Sequence, residues 1–331
     1  KKTMAVTADT NETYDVTTIR EDLAEAMASI TPTETILMST IGSRNVDNTY
    51  FEWSEVDLAA TGANRQIEGD VGLSNTAPTN AVRKGGYTQI SAKVVEVSST
   101  NQAVNGVANA QTVAKQVAYK LSELKRDMEA MLLDNVAANA GASGTARQTA
   151  GLPAYITTNV SRGTGGANGT TSGTGEAGFV NAAATDGTLR AITETLLKTV
   201  IKGCWDSGAT PSIVMCGSSQ KQTISGFTGN ATKFQEVDDK KLTAAVDIYI
   251  SDFGELQIVP NRHMRVRTVS SVDHTPDVLV LDPSYAEVAY LQTAKQEPLA
   301  KTGLSERRLI SCEYGLQVTS QKAHGIVADI T

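Results

Sequence analysis

The chain has 331 residues, 40% of them hydrophobic, 5% aromatic and 20% charged, a length that suits two packed domains or one large domain with extensions. A formal net charge of −7 argues against a general nucleic-acid binder, which needs a basic footprint. The three cysteines, Cys204, Cys216 and Cys312, are widely spaced with no CxxC pair, so they make neither a disulfide framework nor a zinc site and read as buried free thiols in a reducing compartment.

No apolar run approaches the roughly 18 residues needed to span a membrane. The opening KKTMAVTADTNETYDV lacks the apolar core of a secretory signal, so a soluble protein made in the cytoplasm is expected. Residues 1–18 are polar and threonine-rich and read as an extended arm. An amphipathic helix is expected over 17–30 through Ile19, Leu23, Met27 and Ile30, capped by Thr17 or Thr18, with Glu21 and Asp22 in its first turn. Thr31-Pro32 stops it, and a further helical turn or two is expected over 34–41.

Two strand-like runs come next. Over 49–54, Phe51 and Trp53 share a face opposite Glu52 and Ser54; over 87–97, Ile90, Ala92 and Val94 share one before the alternation drifts at Val95. Between them lies a polar, glycine-bearing stretch too long for an ordinary loop. It reads as a β-hairpin arm that leaves the body to meet another subunit; the bland alternative is a surface loop.

Residues 101–139 read as one long amphipathic helix. Val113, Val117, Leu121, Leu124, Met128, Met131 or Leu132, and Val136 trace a single stripe, and Lys120/Glu123 and Lys125/Glu129 read as the solvated side. About 30 helical residues would make a rod of roughly 45 Å, which has to lie across something, and flanking strand-like sequence points to a sheet.

Gly141, Gly144 and Gly151 mark a turn, and residues 161–178 form a Gly/Thr/Ser tract that cannot build a core. From Thr185 the chain reads as a mixed α/β unit. Helices are expected over 188–202 and 218–225, the second capped by Ser218. Strands are expected at 212–216 and 277–281, and a hairpin turns at Asp252-Phe253-Gly254 with Val246, Ile248 and Ile250 on one face of its first strand. Over 310–319, Ile310, Cys312, Tyr314, Leu316 and Val318 alternate with Ser311, Glu313, Gly315, Gln317 and Thr319. Ten residues of period two make a strand with one covered face, the best candidate for the surface under the long helix. One more strand is expected over 324–330.

No Gly-Lys dipeptide, GxSxG or HExxH occurs. Residues 173–178 match GxGxxG, but no strand precedes them and they sit within a glycine tract. His263, His274 and His324 have no partner histidine at metal spacing and read as loop or capping residues; Asp238-Asp239-Lys240-Lys241 reads as a solvated cluster. No constellation would run a reaction, so no catalytic, cofactor or metal residues are assigned.

The order of parts is arm, two-stranded loop, spine-length helix, glycine-rich link, α/β unit and long return strand. With Tyr50-Phe51-Glu52-Trp53, Tyr87-Thr88-Gln89-Ile90, Leu121 to Glu129, Ser251-Asp252-Phe253-Gly254, Pro260-Asn261-Arg262, Leu281-Asp282-Pro283, Ala300 to Gly303, Glu306-Arg307-Arg308, Glu313-Tyr314 and Ala323-His324-Gly325, the chain resembles the major capsid proteins of tailed bacteriophages with the HK97-like fold. That resemblance implies an α+β shell protein and no enzyme. It divides the chain into an N-terminal arm (1–41), an extended loop lying over a neighbour (42–100), a peripheral domain with the spine helix and glycine-rich link (101–184), an axial domain (185–300) and return strands completing both (301–331). The implied partners are copies of itself in hexamers and pentamers, with portal, scaffolding and decoration proteins beyond them and weak, non-specific contact with packaged DNA. The implied place is the virion shell, assembled in the host cytoplasm. Lys84 and Lys93 are the lysines of the extended loop; with no partner asparagine assignable, a subunit crosslink is unsupported. Within the same fold an encapsulin-type nanocompartment is the alternative. An α/β hydrolase or nucleotide enzyme lacks catalytic residues, and an adhesin would carry a secretion signal.

Overall fold

A computed structural model describes residues 30–63, 65, 68–69, 78–104, 112–174, 176–227, 248–301 and 303–331. The extended arm expected over 1–18, all but the last residue of the helix expected over 17–30, the cluster at 238–241 and Val246 lie outside them.

In chain order the elements are α1 (Ile36–Thr40), β1 (Gly42–Asn45), β2 (Tyr50–Glu55), β3 (Val82–Tyr87), β4 (Gln89–Ser98), α2 (Ser99–Ala103), α3 (Val113–Leu133), α4 (Leu152–Tyr155), β5 (Val160–Ser161), β6 (Thr170–Thr171) and β7 (Val180–Ala182). Then come α5 (Glu194–Asp206), β8 (Ile213–Cys216), α6 (Ser218–Ser225), β9 (Ile248–Ser251), β10 (Gly254–Pro260), β11 (Arg267–Val269), β12 (Val272–His274), β13 (Val278–Leu281), β14 (Ala286–Pro298), β15 (Ser305–Val318) and β16 (Gly325–Val327).

Two sheets organise them. The first has the order β1-β14-β15-β4, with β1 parallel to β14 and the other pairs antiparallel. α3 lies on it, chiefly across β4 and also on β15. Leu124, Met128, Leu132 and Leu133 of the helix are buried with Val95 and Val97 of β4 and Ile310, Cys312, Tyr314 and Leu316 of β15. The expected strand is therefore part of the helix's seat, but β4 supplies more of it. From Cys312 to Val318 every β15 residue is buried, so this stretch is covered on both faces rather than one.

The second sheet runs β5-β16-β13-β8-β10-β9. One face packs Leu197, Val200, Ile201 and Cys204 of α5 against Val214, Ile258, Val280 and Val327; the other gives Met215, Leu279, Leu281 and Ile326 to the core under α3. Burial on both faces explains the unbroken apolar run Val278-Leu279-Val280-Leu281.

The rod expected over 101–139 is shorter. α3 spans 21 residues, about 32 Å at 1.5 Å per residue, and α2 is a separate turn after which Val104 is extended. Thr112 caps α3 by accepting from Lys115 N at 3.4 Å. The helix stops at Asp134 because the next residues are held elsewhere: the Asn135 amide donates to Ala184 O at 2.7 Å and accepts from Ala184 N at 3.0 Å, while Gly151 N donates to Val136 O at 3.1 Å. Those tertiary bonds replace the next helical turn.

Other expectations shift likewise. α5 begins at Glu194 rather than 188, because Arg190 is tied by backbone bonds to Asp329 and Thr331 and Thr193 accepts from Leu196 N. α6 spans the expected 218–225, but its N-cap is Gly217 rather than Ser218. Ile90, Ala92 and Val94 do share a face of β4, but it is the open one, with Ile90 60% exposed. On β9 the exposed face carries Ile248 and Ile250, and Tyr249 turns inward to donate to Glu194. β14, unread in the sequence, lies within 185–300 yet pairs with β15 in the first sheet. Its polar outer half and register breaks after Tyr290 and Gln292 erase the alternation that would mark it.

Candidate assembly surfaces

The β2–β3 hairpin is packed at its root and exposed beyond it. Tyr50 pairs with Tyr87 and Glu55 with Val82, and Phe51 and Trp53 point into the core as their alternation predicts. An aromatic group seats the root: Tyr50 against Tyr87 (centroids 4.8 Å apart), Tyr87 edge-on to Phe179 (5.1 Å), and Trp53 beside Tyr155 (6.5 Å). Tyr155 is buried and donates to Leu316 O at 3.2 Å.

Past the aromatics the root is held by charge. Lys84, 7% exposed, pairs with Glu55 across the hairpin and donates to Glu176 Oε2 at 2.6 Å. Glu176 also accepts from Gln321 Nε2 at 2.9 Å, and Lys322 pairs with Asp57 just beyond β2. Burial works against the Glu176 charge, but Lys84 and Gln321 outweigh it and hold this carboxyl below its ordinary range. The backbone joins in: Gly85 N donates to Gly178 O and Gly178 N to Arg83 O, both at 2.9 Å. Residues 56–63 and 78–81 are exposed throughout, so the packed root ends there.

A second junction sits on α3. Glu129, expected on the solvated side, is fully buried. Its carboxylate accepts from Leu37 N at 2.5 Å and Met38 N at 3.0 Å, capping α1 from outside, and from Asn261 Nδ2 at 2.8 Å. The spine helix thus ties the segment before β1 to the end of β10. The neighbouring expectation holds, since Lys120 and Glu123 pair at 2.8 Å, and Lys93 of β4 reaches Asp127 at 2.7 Å.

The glycine-rich tract is a built connector. Buried Asp329, at φ +59°, accepts from Gly163 N (3.0 Å), Gly187 N (2.8 Å) and Arg267 (3.0 Å). Arg265 spans Asp277 (2.8 Å) and Asp186 (2.9 Å); burial pushes the Asp277 carboxyl up against the pull of Arg265. Asp329 sits two residues from the end of the sequence, and nothing in the local pattern marks it as a buried acceptor.

The three cysteines are free and buried. His324 is fully buried, with Asp282 N donating to its Nδ1 at 3.4 Å, and burial lowers its pKa to about 4. His274 lies in the β11–β12 hairpin, and His263 follows Asn261, whose side chain accepts from His263 N. Burial pushes the thiols of Cys204, Cys216 and Cys312 up to about 12, 11 and 11, so they are poor nucleophiles. The GxGxxG match closes a turn, Gly173 N donating to Ala177 O, and then pairs with the hairpin. Among the described residues no group of three or more His, Cys, Asp or Glu side chains converges as a metal site.

Comparison with known proteins fits this layout. A family model described as SU10 major capsid protein matches residues 6–331. The chain belongs to that family. It is 29% identical over 125 residues to the major capsid protein of Escherichia phage Phieco32, a stretch covering 38% of this chain and 35% of that relative. A structure from Mycobacterium phage Bobi aligns with TM-score 0.62 at 10% identity, covering 96% of this chain and 98% of the other. The capsid of a native GTA particle aligns with TM-score 0.61 at 13% identity, over 96% and 98%. A holo-SrpI encapsulin complex from Synechococcus elongatus aligns less well, with TM-score 0.51 at 11% identity, over 94% and 92%. At such identities these likenesses establish the fold, which is the expected HK97-like α+β capsid fold.

Proposed function

We propose that this SU10-family protein is the repeating subunit of a tailed-phage head, assembling with copies of itself into hexamers and pentamers of an icosahedral shell that encloses double-stranded DNA. The supporting observation is the family match over residues 6–331, on a chain whose hairpin is anchored at its root and exposed beyond it. In this reading α3 and the first sheet make the peripheral domain. The second sheet makes the axial domain around the five-fold and six-fold axes, and the hairpin arm lies over a neighbour. β14 then belongs with the peripheral sheet although it lies within 185–300. The role is structural and not catalytic. The shell would be assembled in the host cytoplasm, with portal, scaffolding and decoration proteins as further partners. A net charge of −7 suits a wall that holds DNA without binding it. The encapsulin alternative is disfavoured by the capsid-protein family match and the lower TM-score of the encapsulin.

Electron microscopy of the purified protein tests the proposal. Closed particles or capsomer rings are expected; a monodisperse monomer at high concentration would overturn it.

A further inference from the structure

Four separate segments meet at the root of the hairpin arm. β2 contributes Glu55 and, just beyond it, Asp57; β3 contributes Lys84; the glycine-rich tract contributes Glu176; and the turn between β15 and β16 contributes Gln321 and Lys322. Gln321 is itself buried and bound to Thr157 N (3.0 Å), Thr158 N (3.1 Å) and Thr158 Oγ1 (2.5 Å), so it is fixed before it meets Glu176. A two-stranded ribbon is marginal by itself; the aromatic seat holds this one out to Trp53, which pairs with Lys84. The cluster ties the strand beyond that seat, at Glu55 and Asp57, and moves the first free joint out past residue 57 and to residue 81.

We propose that Lys84, Glu55, Glu176 and Gln321 form a latch that sets the direction in which the arm leaves the body, and that it closes only after the C-terminal segment has docked. The proposal rests on the shell reading above for its consequence, though not for its geometry. Lys84 lines a cavity of about 20 Å³ together with Ala154, Tyr155, Val180 and Val318 and the polar Thr157, Thr170 and Thr171, space for about one water. One water replaces little of the hydration an ammonium loses on burial, so its charge rests on both carboxylates, and Glu176 is shared between Lys84 and Gln321. Residues 55 and 321 are far apart in sequence, so a chain whose last strands have not folded leaves the arm unlatched. Such a subunit could not present its arm to a neighbour in a fixed direction. The latch thereby makes completion of the fold a condition for assembly, which protects a growing shell from half-folded subunits.

The test uses the full chain with Glu176→Gln and, separately, Lys84→Met. Circular dichroism checks the fold, hydrogen exchange reports the amides of 50–55 and 82–87, and electron microscopy counts closed particles. Both variants are expected to keep wild-type secondary structure, to exchange the 82–87 amides at least ten-fold faster while α3 is unchanged, and to give several-fold fewer closed particles. Glu176 is partly exposed, so its conservative variant decides the matter if Lys84→Met does not fold. Unchanged exchange at the root in Glu176→Gln overturns the latch. Faster exchange with normal particle yield overturns its role in assembly. If the wild type forms no particles, the shell reading fails while the exchange measurement still decides the latch.

Discussion

Glu129 shows how far one side chain can depart from what its neighbours in sequence imply. Four residues after Lys125 on an amphipathic helix, it has the spacing of a surface ion pair, yet it is fully buried and takes three hydrogen bonds from α1 and Asn261. A carboxylate removed from water survives when donors replace its hydration, and two backbone N–H groups of an uncapped helix end are such donors. Glu129→Ala would leave those donors buried and unpaired. It is expected to cost about 3 kcal/mol, since each buried unsatisfied group costs roughly 1–3 kcal/mol. Urea unfolding checks this, and a loss under about 1 kcal/mol would mean that water replaces the carboxylate. Lys120→Ala, which breaks a partly exposed pair on the same helix, should stay within about 0.5 kcal/mol of wild type.

At the scale of elements, the ends are decided by contacts from far along the chain. α3 has apolar spacing that runs on to Val136, but the backbone of Gly151 packs on Asp134 so closely that an added Cβ would lie 1.7 Å from Asp134 O. Only glycine permits that approach. Gly151→Ala is therefore expected to lower stability by about 3 kcal/mol, at the upper end of overpacking costs, seen as a lower melting temperature with α3 still helical by circular dichroism. A melting temperature within a degree of wild type would show that the loop can move aside. By contrast Gly144, which is at positive φ where Gly151 is not, has open space where a Cβ would stand and marks only a turn. Strands obey the same rule. β2 is legible in the sequence because one face of a regular strand is buried, and β15 because its apolar residues alternate with polar ones although both faces of its second half are covered. β14 is not, because bulges shift its register and its outer half is exposed on both sides.

For the whole molecule, the hairpin root belongs to the body and the arm begins beyond it. A deletion of residues 62–86, natural from sequence alone, would remove most of β3 and the buried Lys84 and so confound assembly with folding. Deleting residues 62–80 spares both. That variant is expected to keep the wild-type melting profile and secondary structure while losing closed particles by electron microscopy; normal particles would show that the arm is dispensable. The sequence by itself determined the order of parts, the α+β class, the hairpin, the seat of the long helix in part, and the family resemblance. These arise from apolar periodicity and local turn chemistry, which are properties of neighbouring residues. Only the tertiary structure decided where the helices end, which face of β4 and β9 is open, and that Glu129, Lys84 and Asp329 are buried. A polar side chain shows the same local pattern whether it faces water or a donor a hundred residues away, and only the folded chain supplies that donor.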